Sequence, residues 1–325
     1  MTDTTDRIAL RLVSRREAAC DIVVFEFVSA DERPLPRFEA GSHVDLMLPG
    51  GVMRPYSLSN DPAETHRYEF GVLREPQSRG GSHALHDRVA VGDVLLASPP
   101  RQLFGLKPGG RRSVLLAGGI GVTPLLAMAE ALASTASDFT LHYTTRSRER
   151  CAFLDRLAAP HLAPQVRLYH DDAADGARFD AAAALGAPEV GVQAYVCGPG
   201  GFIDHVLAVA ATLGWPADQV HVESFTARDT TPPGTVNRVF QLVIASTGQV
   251  LDVPADRSAV AVLADHGLAP PVSCEQGICG TCVTTVLEGE PDHRDSYLTE
   301  GDRARGDCFT PCCSRARSER LVLDL

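Results

Sequence analysis

The stretch Cys274-Glu275-Gln276-Gly277-Ile278-Cys279-Gly280-Thr281-Cys282 decides how this chain of 325 residues is interpreted. Three of its nine cysteines fall there in the spacing C-x4-C-x2-C, which is typical of a plant-type [2Fe–2S] site when a fourth cysteine follows. Gly277 and Gly280 let the backbone fold closely around a compact cluster and aim its N–H groups at the sulfurs. A zinc site is the alternative, but zinc sites usually combine paired C-x2-C arms, and this sequence has one such pair.

Three later cysteines compete for the fourth ligand position. Counted from Cys282, Cys308 leaves 25 intervening residues, Cys312 leaves 29 and Cys313 leaves 30. The plant-type ferredoxin spacing favours Cys312, so the predicted ligands are Cys274, Cys279, Cys282 and Cys312. If Thr310–Ser314 is extended, adjacent side chains point to opposite faces. Cys313 would then point away from the cluster as a small core residue.

Composition favours an intracellular redox protein of two or three domains. The length and the 44% hydrophobic content are sufficient for packed cores. Residues 1–10 lack an apolar signal-peptide region, and the longest apolar runs are too short to span a bilayer, so we expect a cytoplasmic protein. Nine cysteines in such a chain favour metal or redox roles over disulfides. The net charge of −11 argues against nucleic acid and an anionic membrane as partners.

The N-terminal third has the pattern of a small antiparallel barrel. Residues 8–30 and 43–58 contain short β-branched runs separated by Gly and Pro. Arg54-Pro55-Tyr56-Ser57 places a cation, an aromatic ring and a hydroxyl on one strand, where they could hold an anion and a flat ring; an ordinary strand is the alternative. Arg79-Gly80-Gly81-Ser82 then reads as a glycine turn opening a helix, with Ser82 as its cap and a phosphate at its N–H groups.

The middle third predicts parallel α/β units. Ser113–Ala117 has the composition of a buried strand and is followed by Gly118-Gly119-Ile120-Gly121-Val122-Thr123-Pro124 and a helix from Leu125. We predict a pyrophosphate cradle, with Thr123 as helix cap and Pro124 at the first helical position. The third glycine of G-x-G-x-x-G is missing, so an ordinary turn stays an alternative.

A second glycine turn follows a later strand. Gln193–Cys197 runs into Gly198-Pro199-Gly200-Gly201 and another helix. Glycines at the carboxyl ends of two parallel strands would line one ligand crevice.

These motifs occur in the order found in ferredoxin-reductase-like flavoproteins: R-x-Y-S, the glycine turn, G-G-I-G-V-T-P, C-G-P and Glu223-Ser224-Phe225. With the C-terminal cysteine motif, nearly the whole chain resembles the phthalate dioxygenase reductase and vanillate demethylase reductase family. His293-Arg294-Asp295 and the segment 312–316 match that family's C-terminal pattern, except that valine is usual where Cys313 stands.

The resemblance implies a role for each motif. Tyr56 would stack on the flavin, Ser57 would lie near its reactive nitrogen, and Phe225 would cover the ring; Cys197 and Glu223 would border the nicotinamide. The flavin phosphate would be held by Arg54, Gly80, Gly81 and Ser82, and the dinucleotide by Gly119, Gly121, Thr123, Gly198 and Pro199. A core cysteine, a solvated glutamate and a core phenylalanine are the structural alternatives for Cys197, Glu223 and Phe225.

The cofactors implied are FMN, a pyridine nucleotide and a [2Fe–2S] cluster. Family members carry FMN rather than FAD, and no separate segment here suits an adenine. Arg146 and Arg148 follow the second predicted strand of the α/β region and could bind the 2′-phosphate of NADPH. Related oxygenase reductases mostly use NADH and share an Arg-Ser pair at this place, so NADH is predicted.

The predicted fold is multidomain: an antiparallel β-barrel flavin domain, an α/β parallel-sheet nucleotide-binding domain and an α+β β-grasp ferredoxin domain. Their predicted bounds are 1–104, 105–228 and 237–325, with a Pro- and Gly-rich linker at 229–236.

The function implied is that of a monomeric reductase component of a Rieske oxygenase or demethylase system. Hydride would pass from NADH to FMN, and single electrons would pass through the cluster to the Rieske-type oxygenase. The alternatives are a reductase for a cytochrome P450 or another acceptor, and a non-catalytic flavin and iron–sulfur carrier subunit.

Overall fold

The computed structural model describes residues 7–173, 178–226 and 236–325. The chain forms two compact units, Asp3–Phe225 and Thr226–Leu325. The predicted linker at 229–236 lies outside the described residues except for Val236. Within the described ranges, no helix is both long enough and apolar enough to cross a membrane.

The first unit begins with a seven-stranded antiparallel sheet in the order β4-β3-β6-β1-β2-β5, with β7 paired to β3. Its strands are β1 (Ile8–Ala19), β2 (Ile22–Ser29), β3 (Ser42–Leu48), β4 (Val52–Ser57), β5 (Tyr68–Leu73), β6 (Val94–Ala97) and β7 (Arg101–Gln102). The two end strands approach each other where the Ser59 N–H donates to the Glu69 carbonyl at 2.9 Å. This sheet confirms the predicted antiparallel barrel.

The barrel core follows from the two-residue period of its strands. In β2, Phe25 and Phe27 are fully buried while Glu26 between them is partly exposed. Phe27 packs edge-on against Phe70 of β5, with ring centroids 5.7 Å apart. Helix α1 (Gly81–Arg88) adds Leu85 to the same core.

The second part of this unit is a parallel sheet in the order β10-β9-β8-β11-β12. Its strands are β8 (Arg112–Gly118), β9 (Asp138–Thr145), β10 (Val166–His170), β11 (Val192–Cys197) and β12 (Val220–Glu223), and its helices are α2 (Val122–Ser134), α3 (Leu154–Leu157), α4 (Ala181–Leu185) and α5 (Gly200–Thr212). Leu115 of β8 belongs to the core that includes α2, and Leu116 to the core that includes α5. Because helices cover both faces, β8 is apolar and buried from Val114 to Ala117, as its composition predicts.

Helix α2 begins earlier than predicted. Gly121 is its N-cap and Thr123 is its second residue, so the prediction that Thr123 caps the helix is wrong. The Thr123 hydroxyl instead donates to the Ile120 carbonyl at 3.1 Å. The cause is a 3₁₀ turn at Gly119–Gly121, which passes directly into the helix.

An ion network ties the barrel to the parallel sheet inside the first unit. Arg156 of α3 donates to the Ser59 carbonyl at 2.8 Å, to Glu69 Oε1 at 2.7 Å and to Glu130 Oε1 at 2.7 Å. The three charged side chains are largely buried. Removing one partner of a buried ion pair costs about 3–5 kcal/mol, so this network holds the two sheets in a defined arrangement.

The second unit is a mixed sheet in the order β14-β13-β19-β15-β17, with a separate β16-β18 pair. Its elements are β13 (Phe240–Ile244), β14 (Val250–Val253), α6 (Ala259–Asp265), β15 (Thr284–Glu288), β16 (Pro291–Asp292), α7 (Glu300–Arg305), β17 (Cys308–Phe309), β18 (Arg315–Ala316) and β19 (Arg320–Leu323). The hairpin β13-β14 and helix α6 precede the cysteine loop. Strand β19 runs parallel to β13 beneath α6, and this arrangement confirms the predicted β-grasp fold.

Candidate functional site

A cationic corner forms where strand β4 meets the glycine turn before α1. The Arg54 guanidinium donates to the carbonyl of Arg79 at 3.2 Å. A methyl group on Gly81 would lie 2.8 Å from Arg54 Cγ and 3.2 Å from Tyr56 Oη, so only glycine fits there. Gly80 has φ 92°, a left-handed conformation that favours glycine. The structure therefore brings the predicted residues Arg54, Tyr56, Gly80 and Gly81 together.

Ser82 does not have the capping role predicted for it. The N-cap of α1 is Gly80, and among the described residues no side chain caps this helix. Ser82 is the second helical residue, and its hydroxyl accepts a hydrogen bond from the Glu75 N–H at 3.2 Å. The left-handed turn at Gly80 starts the helix two residues earlier than the prediction, which leaves the first N–H groups of α1 available to an anion.

The carboxyl ends of three parallel strands are aligned in the first unit. Cys197 of β11 pairs with Ala117 of β8 on one side and with Glu223 of β12 on the other. A methyl group on Gly121 would lie 2.3 Å from the Cys197 carbonyl oxygen, and one on Gly198 would lie 2.8 Å from the Phe202 ring. The two predicted glycine turns therefore pack closely against their neighbours at one edge of the sheet.

Open space adjoins this tight contact. Gly119 has φ 53°, and a methyl group there would meet no described atom within 4 Å. Pro199 is the N-cap of α5, which begins with two glycines. Arg146 is exposed and directly follows β9, whose Thr144 pairs with Gly118. All of these predicted nucleotide-site residues thus lie at the same carboxyl edge.

The barrel and the parallel sheet meet at Ser57 and Glu223. The buried Ser57 hydroxyl lies beside the Glu223 carboxyl group and acts to lower its pKa. Although Glu223 is partly exposed as a residue, its Oε2 is buried and has no hydrogen-bond partner among the described residues. Burial raises the pKa of Glu223 to about 8, with Ser57 acting in the opposite direction.

Cys197 lies next to this pair and is fully buried. Burial raises the pKa of the Cys197 thiol well above its usual value, and the neighbouring Glu223 carboxyl adds to the effect. Phe225 comes two residues after Glu223 and is half-buried. Like Ile120, it packs against the hydrophobic core that includes the buried Tyr143. At neutral pH this corner therefore holds a protonated carboxyl group and a protonated thiol.

These features fit a flat aromatic cofactor with a phosphate, together with a dinucleotide. Arg54 and the N-terminus of α1 supply anion donors, and Tyr56 supplies an aromatic surface. The buried Oε2 of Glu223 is a polar group in need of a ligand partner. Glycine turns at the carboxyl ends of β8 and β11 are the usual position of a dinucleotide in such sheets.

Four buried cysteines form the candidate cluster site of the second unit. Cys274, Cys279, Cys282 and Cys312 are each no more than 9% exposed. The four thiols lie close enough to shift one another's pKa, since Cys312 interacts with Cys274 and Cys282, and Cys274 interacts with Cys279. These interactions lower the pKa of Cys274 and of Cys282 and raise the pKa of Cys279 and of Cys312, so all four become thiolates only when iron supplies the compensating positive charge.

The ligand loop depends on two glycines, as its sequence predicts. Gly277 has φ 72° and Gly280 has φ 69°. A methyl group on Gly277 would lie 2.4 Å from Cys313 Sγ, and one on Gly280 would lie 2.1 Å from the Tyr297 ring. The Gln276 N–H donates to Cys274 Sγ at 3.3 Å, an example of the backbone donors expected around a cluster.

The segment Thr310–Ser314 is a turn and not the extended strand considered above. The N–H groups of Cys313 and Ser314 both donate to the Thr310 carbonyl, at 3.2 and 2.9 Å. The extended geometry on which the outward direction of Cys313 depended is therefore absent, and the Cys313 sulfur instead packs against Gly277 of the ligand loop. Cys308 belongs to β17, where it pairs with Thr285.

The four thiols suit a cluster of two irons rather than one ion. In the described part of the chain, no group of three or more His, Cys, Asp or Glu residues is placed to hold a single metal ion. A [2Fe–2S] cluster spreads its four thiolates over two irons. The donor set, its burial and the surrounding N–H groups fit that cluster.

Two features near the cluster loop were missed from the sequence. The Thr281 hydroxyl lies 3.2 Å from Cys279 Sγ, and a hydroxyl two residues after a ligand could have signalled this contact. Pro311 occupies the second position of the turn that begins at Thr310, which is a favoured position for proline. That signal would have predicted the turn and with it the inward position of Cys313.

Comparison with known proteins agrees with both units. Residues 94–220 match the family model of the dimethylamine monooxygenase subunit DmmA-like N-terminal domain, and residues 242–317 match that of the 2Fe-2S iron-sulfur cluster binding domain. The second range includes all four candidate ligands.

Relatives of nearly full length are also found. A vanillate O-demethylase oxidoreductase from Pseudomonas sp. (strain HR199 / DSM 7063) is 50% identical over 98% of this chain and 98% of its own. The solved structure of a phthalate dioxygenase reductase has a TM-score of 0.76 at 37% identity and covers 99% of this chain and 98% of that one. An intact type IV self-sufficient cytochrome P450 monooxygenase has a TM-score of 0.85 at 38% identity, with 98% of this chain matching 41% of that chain.

With the barrel, the parallel sheet, the four-cysteine loop and these full-length relatives together, the chain belongs to the family of vanillate O-demethylase oxidoreductases and phthalate dioxygenase reductases, which are flavin and iron–sulfur oxidoreductases of oxygenase systems.

Proposed function

We propose that this oxidoreductase takes hydride from NADH to FMN and delivers single electrons through a [2Fe–2S] cluster to a Rieske-type oxygenase. The observation that carries the proposal is that the Ser57 hydroxyl of the barrel lies beside the Glu223 carboxyl group of the parallel sheet, whose neighbour across the strands is Cys197. It joins the candidate flavin residues to the candidate nucleotide residues within one compact unit. Two-electron chemistry needs both kinds of residue at one place.

The residues at this junction bind and orient rather than exchange protons with substrate. When bound, the flavin supplies the conversion of a two-electron hydride into single electrons, which the cluster accepts one at a time. Glu223 keeps its proton at neutral pH because burial raises its pKa to about 8. Cys197 is neutral for the same reason. Because both groups are neutral, no negative charge from them lies beside the path of the hydride, which itself carries negative charge.

The flavin assignment is FMN, with Tyr56, Ser57 and Phe225 at the ring. Arg54 and the Gly80–Ser82 turn would hold its single phosphate. We assign residues 1–104 to this domain and 105–228 to the nucleotide domain. The boundary falls in the loop between β7 and β8.

The nucleotide assignment is NADH at the carboxyl edge of the parallel sheet. Gly119, Gly121 and Thr123 would lie along the pyrophosphate, with Gly198 and Pro199 opposite them. Arg146 is exposed at the same edge and would face the adenosine ribose. The ferredoxin domain, 237–325, would hold the cluster by Cys274, Cys279, Cys282 and Cys312.

The proposed acceptor is the Rieske centre of an oxygenase, and the protein is proposed to act as a cytoplasmic monomer. A full-length relative named for vanillate O-demethylation supports an oxygenase partner of this kind. A cytochrome P450 is the second candidate acceptor, because 98% of this chain matches part of a self-sufficient P450 monooxygenase.

One anaerobic spectrum tests the central proposal. NADH should bleach both flavin and cluster absorbance within seconds, and the released flavin should have the mass of FMN. Failure of NADH to bleach either chromophore would contradict the reductase function, and a mass of FAD would contradict the flavin assignment. Oxygen uptake with a Rieske oxygenase, compared with a P450, then identifies the acceptor class.

A further inference from the structure

An open cleft in the second unit is lined by residues that have no role in the proposed electron transfer. It lies between strand β16, the last turn of α7 and Arg317, which follows β18. Its volume is about 610 Å³. Pockets that hold small molecules measure about 300–1,000 Å³, so the cleft has room for more than a single ion.

Basic side chains dominate the lining of this cleft. Among its described lining residues, Arg303, Arg305 and Arg317 stand against one carboxylate, Glu290. Residues 237–325 as a whole carry 13 Asp and Glu against 8 Arg. The positive excess is therefore local to the cleft and opposite in sign to the charge of the unit around it, which favours an anion as the ligand.

The arginines differ in how firmly their partners hold them. Arg305 is paired with two carboxylates of its own segment, at 2.6 and 3.2 Å, so it adds little net charge. Arg317 is paired with Glu290 at 3.2 Å and lies 3.8 Å from Asp292 Oδ1. The Arg317 and Glu290 side chains are 63% and 65% exposed, and such exposed pairs are weak. An incoming anion can therefore replace Glu290 as the partner of Arg317.

Buried nitrogens without partners lie at the wall of the cleft. The His293 side chain is 9% exposed, and neither ring nitrogen has a hydrogen-bond partner among the residues that the structure describes. Its Nδ1 lies 3.8 Å from Asp295 Oδ1, which is too far for a hydrogen bond. Nε of Arg303 is also buried and has no partner within the described ranges. Buried polar groups are nearly always hydrogen-bonded, so these nitrogens indicate a bound group that the described residues do not supply.

Asp295 connects this wall to the candidate cluster loop. Arg303 donates to the Asp295 carbonyl oxygen, and the buried Asp295 carboxylate accepts from the Leu298 N–H at 2.7 Å. A methyl group on Gly277 would lie 2.8 Å from Asp295 Cβ. The wall of the cleft is therefore one residue away from the ligand loop.

We propose that this cleft binds an oxyanion, a carboxylate or phosphate group carried by a larger molecule. Guanidinium groups match both oxyanions in charge and in the geometry of their paired N–H donors. Arg317 is the principal donor, with Arg303 and His293 beside it. The oxyanion has two sources, an acidic segment of a protein or a phosphate-bearing small molecule. This site goes beyond the proposed function, which uses none of these residues.

The test is isothermal titration calorimetry of the full-length holoprotein at constant ionic strength. Inorganic phosphate is the probe in one arm and a tetraglutamate peptide in the other, with NAD present to fill the proposed nucleotide site. We expect a dissociation constant of about 1 mM or below for at least one probe. Tighter binding of the peptide identifies a protein's acidic segment as the source, and tighter binding of phosphate identifies a phosphate-bearing small molecule.

Two cleft variants and one matched control locate the binding. Arg317→Gln should weaken it about tenfold or more, because it removes a charge-assisted hydrogen bond. His293→Phe keeps an aromatic ring without the nitrogens and should also weaken it. Arg320→Gln is the control, since Arg320 is 63% exposed like Arg317 and also pairs with a surface glutamate, but lies outside the cleft. This control should bind within about twofold of the wild type.

The titration involves no electron transfer, so its outcome is separate from that of the proposed function. If NADH fails to reduce the flavin, the reductase proposal fails and the binding results still stand. The cleft proposal is overturned if neither probe binds, if Arg317→Gln and Arg320→Gln lose affinity equally, or if both cleft variants bind as the wild type does.

Discussion

Alanine at position 121 should separate two backbone segments that the candidate nucleotide site needs in contact. The added methyl group would lie 2.3 Å from the Cys197 carbonyl oxygen and 2.6 Å from the Gly198 nitrogen. Ordinary contacts begin at 3.4 Å, and both neighbours are backbone, so α2 and the end of β11 must move apart by about 1 Å. Gly121 itself has φ −62°, which alanine adopts readily, so the effect is one of space alone.

We expect Gly121→Ala to slow flavin reduction by NADH strongly and to lower the stability of the fold moderately. A displacement of about 1 Å at a reacting centre can slow a reaction by about 100-fold. Overpacking costs about 1–3 kcal/mol. Stopped-flow absorbance under anaerobic conditions would measure flavin reduction over a series of NADH concentrations in Gly121→Ala and in the wild type.

Gly110→Ala is the matched control for this experiment. Its methyl group would make an ordinary contact of 3.5 Å with Gln193 Cγ, near the opposite end of β8. We expect this variant to reduce its flavin at the wild-type rate. If Gly121→Ala, with full flavin content, also reduces within about twofold of the wild type, the close contact does not shape the nucleotide site and the reasoning is refuted.

Three further changes test the remaining parts of the site. Arg54→Ala should weaken flavin retention by about 1.5–3 kcal/mol through loss of a charge-assisted hydrogen bond, measured by fluorescence after dialysis; unchanged retention would refute the phosphate assignment. Cys312→Ser should lose cluster absorbance while NADH still reduces the flavin, because hydride transfer comes first. An intact cluster in Cys312→Ser would show that another cysteine is the fourth ligand. Burial raises the pKa of Glu223 from 4.5 to about 8, so its contribution to stability is present below pH 4.5 and is lost as pH rises through 8. Glu223→Gln should therefore show a smaller fall in Tm between pH 5 and pH 9 than the wild type does, and equal slopes would contradict this.

Much of the architecture could be predicted because its signals are local. The continuous apolar run of β8, the alternation in β2 and the cysteine spacing each depend on a few neighbouring residues. Glycines at 121 and 277 were also informative, since each marks a place where another part of the chain approaches closely. Such signals predict elements and their order.

The errors concern single-residue boundaries and a turn. Ser82 and Thr123 are good cap residues by type, yet glycine turns start both helices earlier, and cap preferences of about 1 kcal/mol do not fix a boundary against such a turn. The Thr310–Ser314 segment was considered as a strand without regard to its proline, so the extended geometry from which the direction of Cys313 followed was wrong.

Contacts between distant residues could not be derived from the sequence at all. Ser57 meets Glu223, and Arg156 meets both Glu69 and Glu130, only because the barrel packs on the parallel sheet. Residue type and sequence spacing carry no information about which distant residues form such pairs. The resemblance predicted which residues border the cofactors, whereas the network around Arg156 was not predicted.

The two units hold their cysteines in different environments, and the difference matches what each is proposed to bind. In the first unit, burial raises the pKa of Glu223 to about 8 and the pKa of Cys197 well above its usual value, so both are neutral at pH 7. In the second unit, interactions among the four candidate ligands lower the pKa of Cys274 and of Cys282 and raise the pKa of Cys279 and of Cys312. Burial therefore keeps the Cys197 thiol protonated at the hydride site, whereas four thiolates at the cluster site require the positive charge of the bound irons.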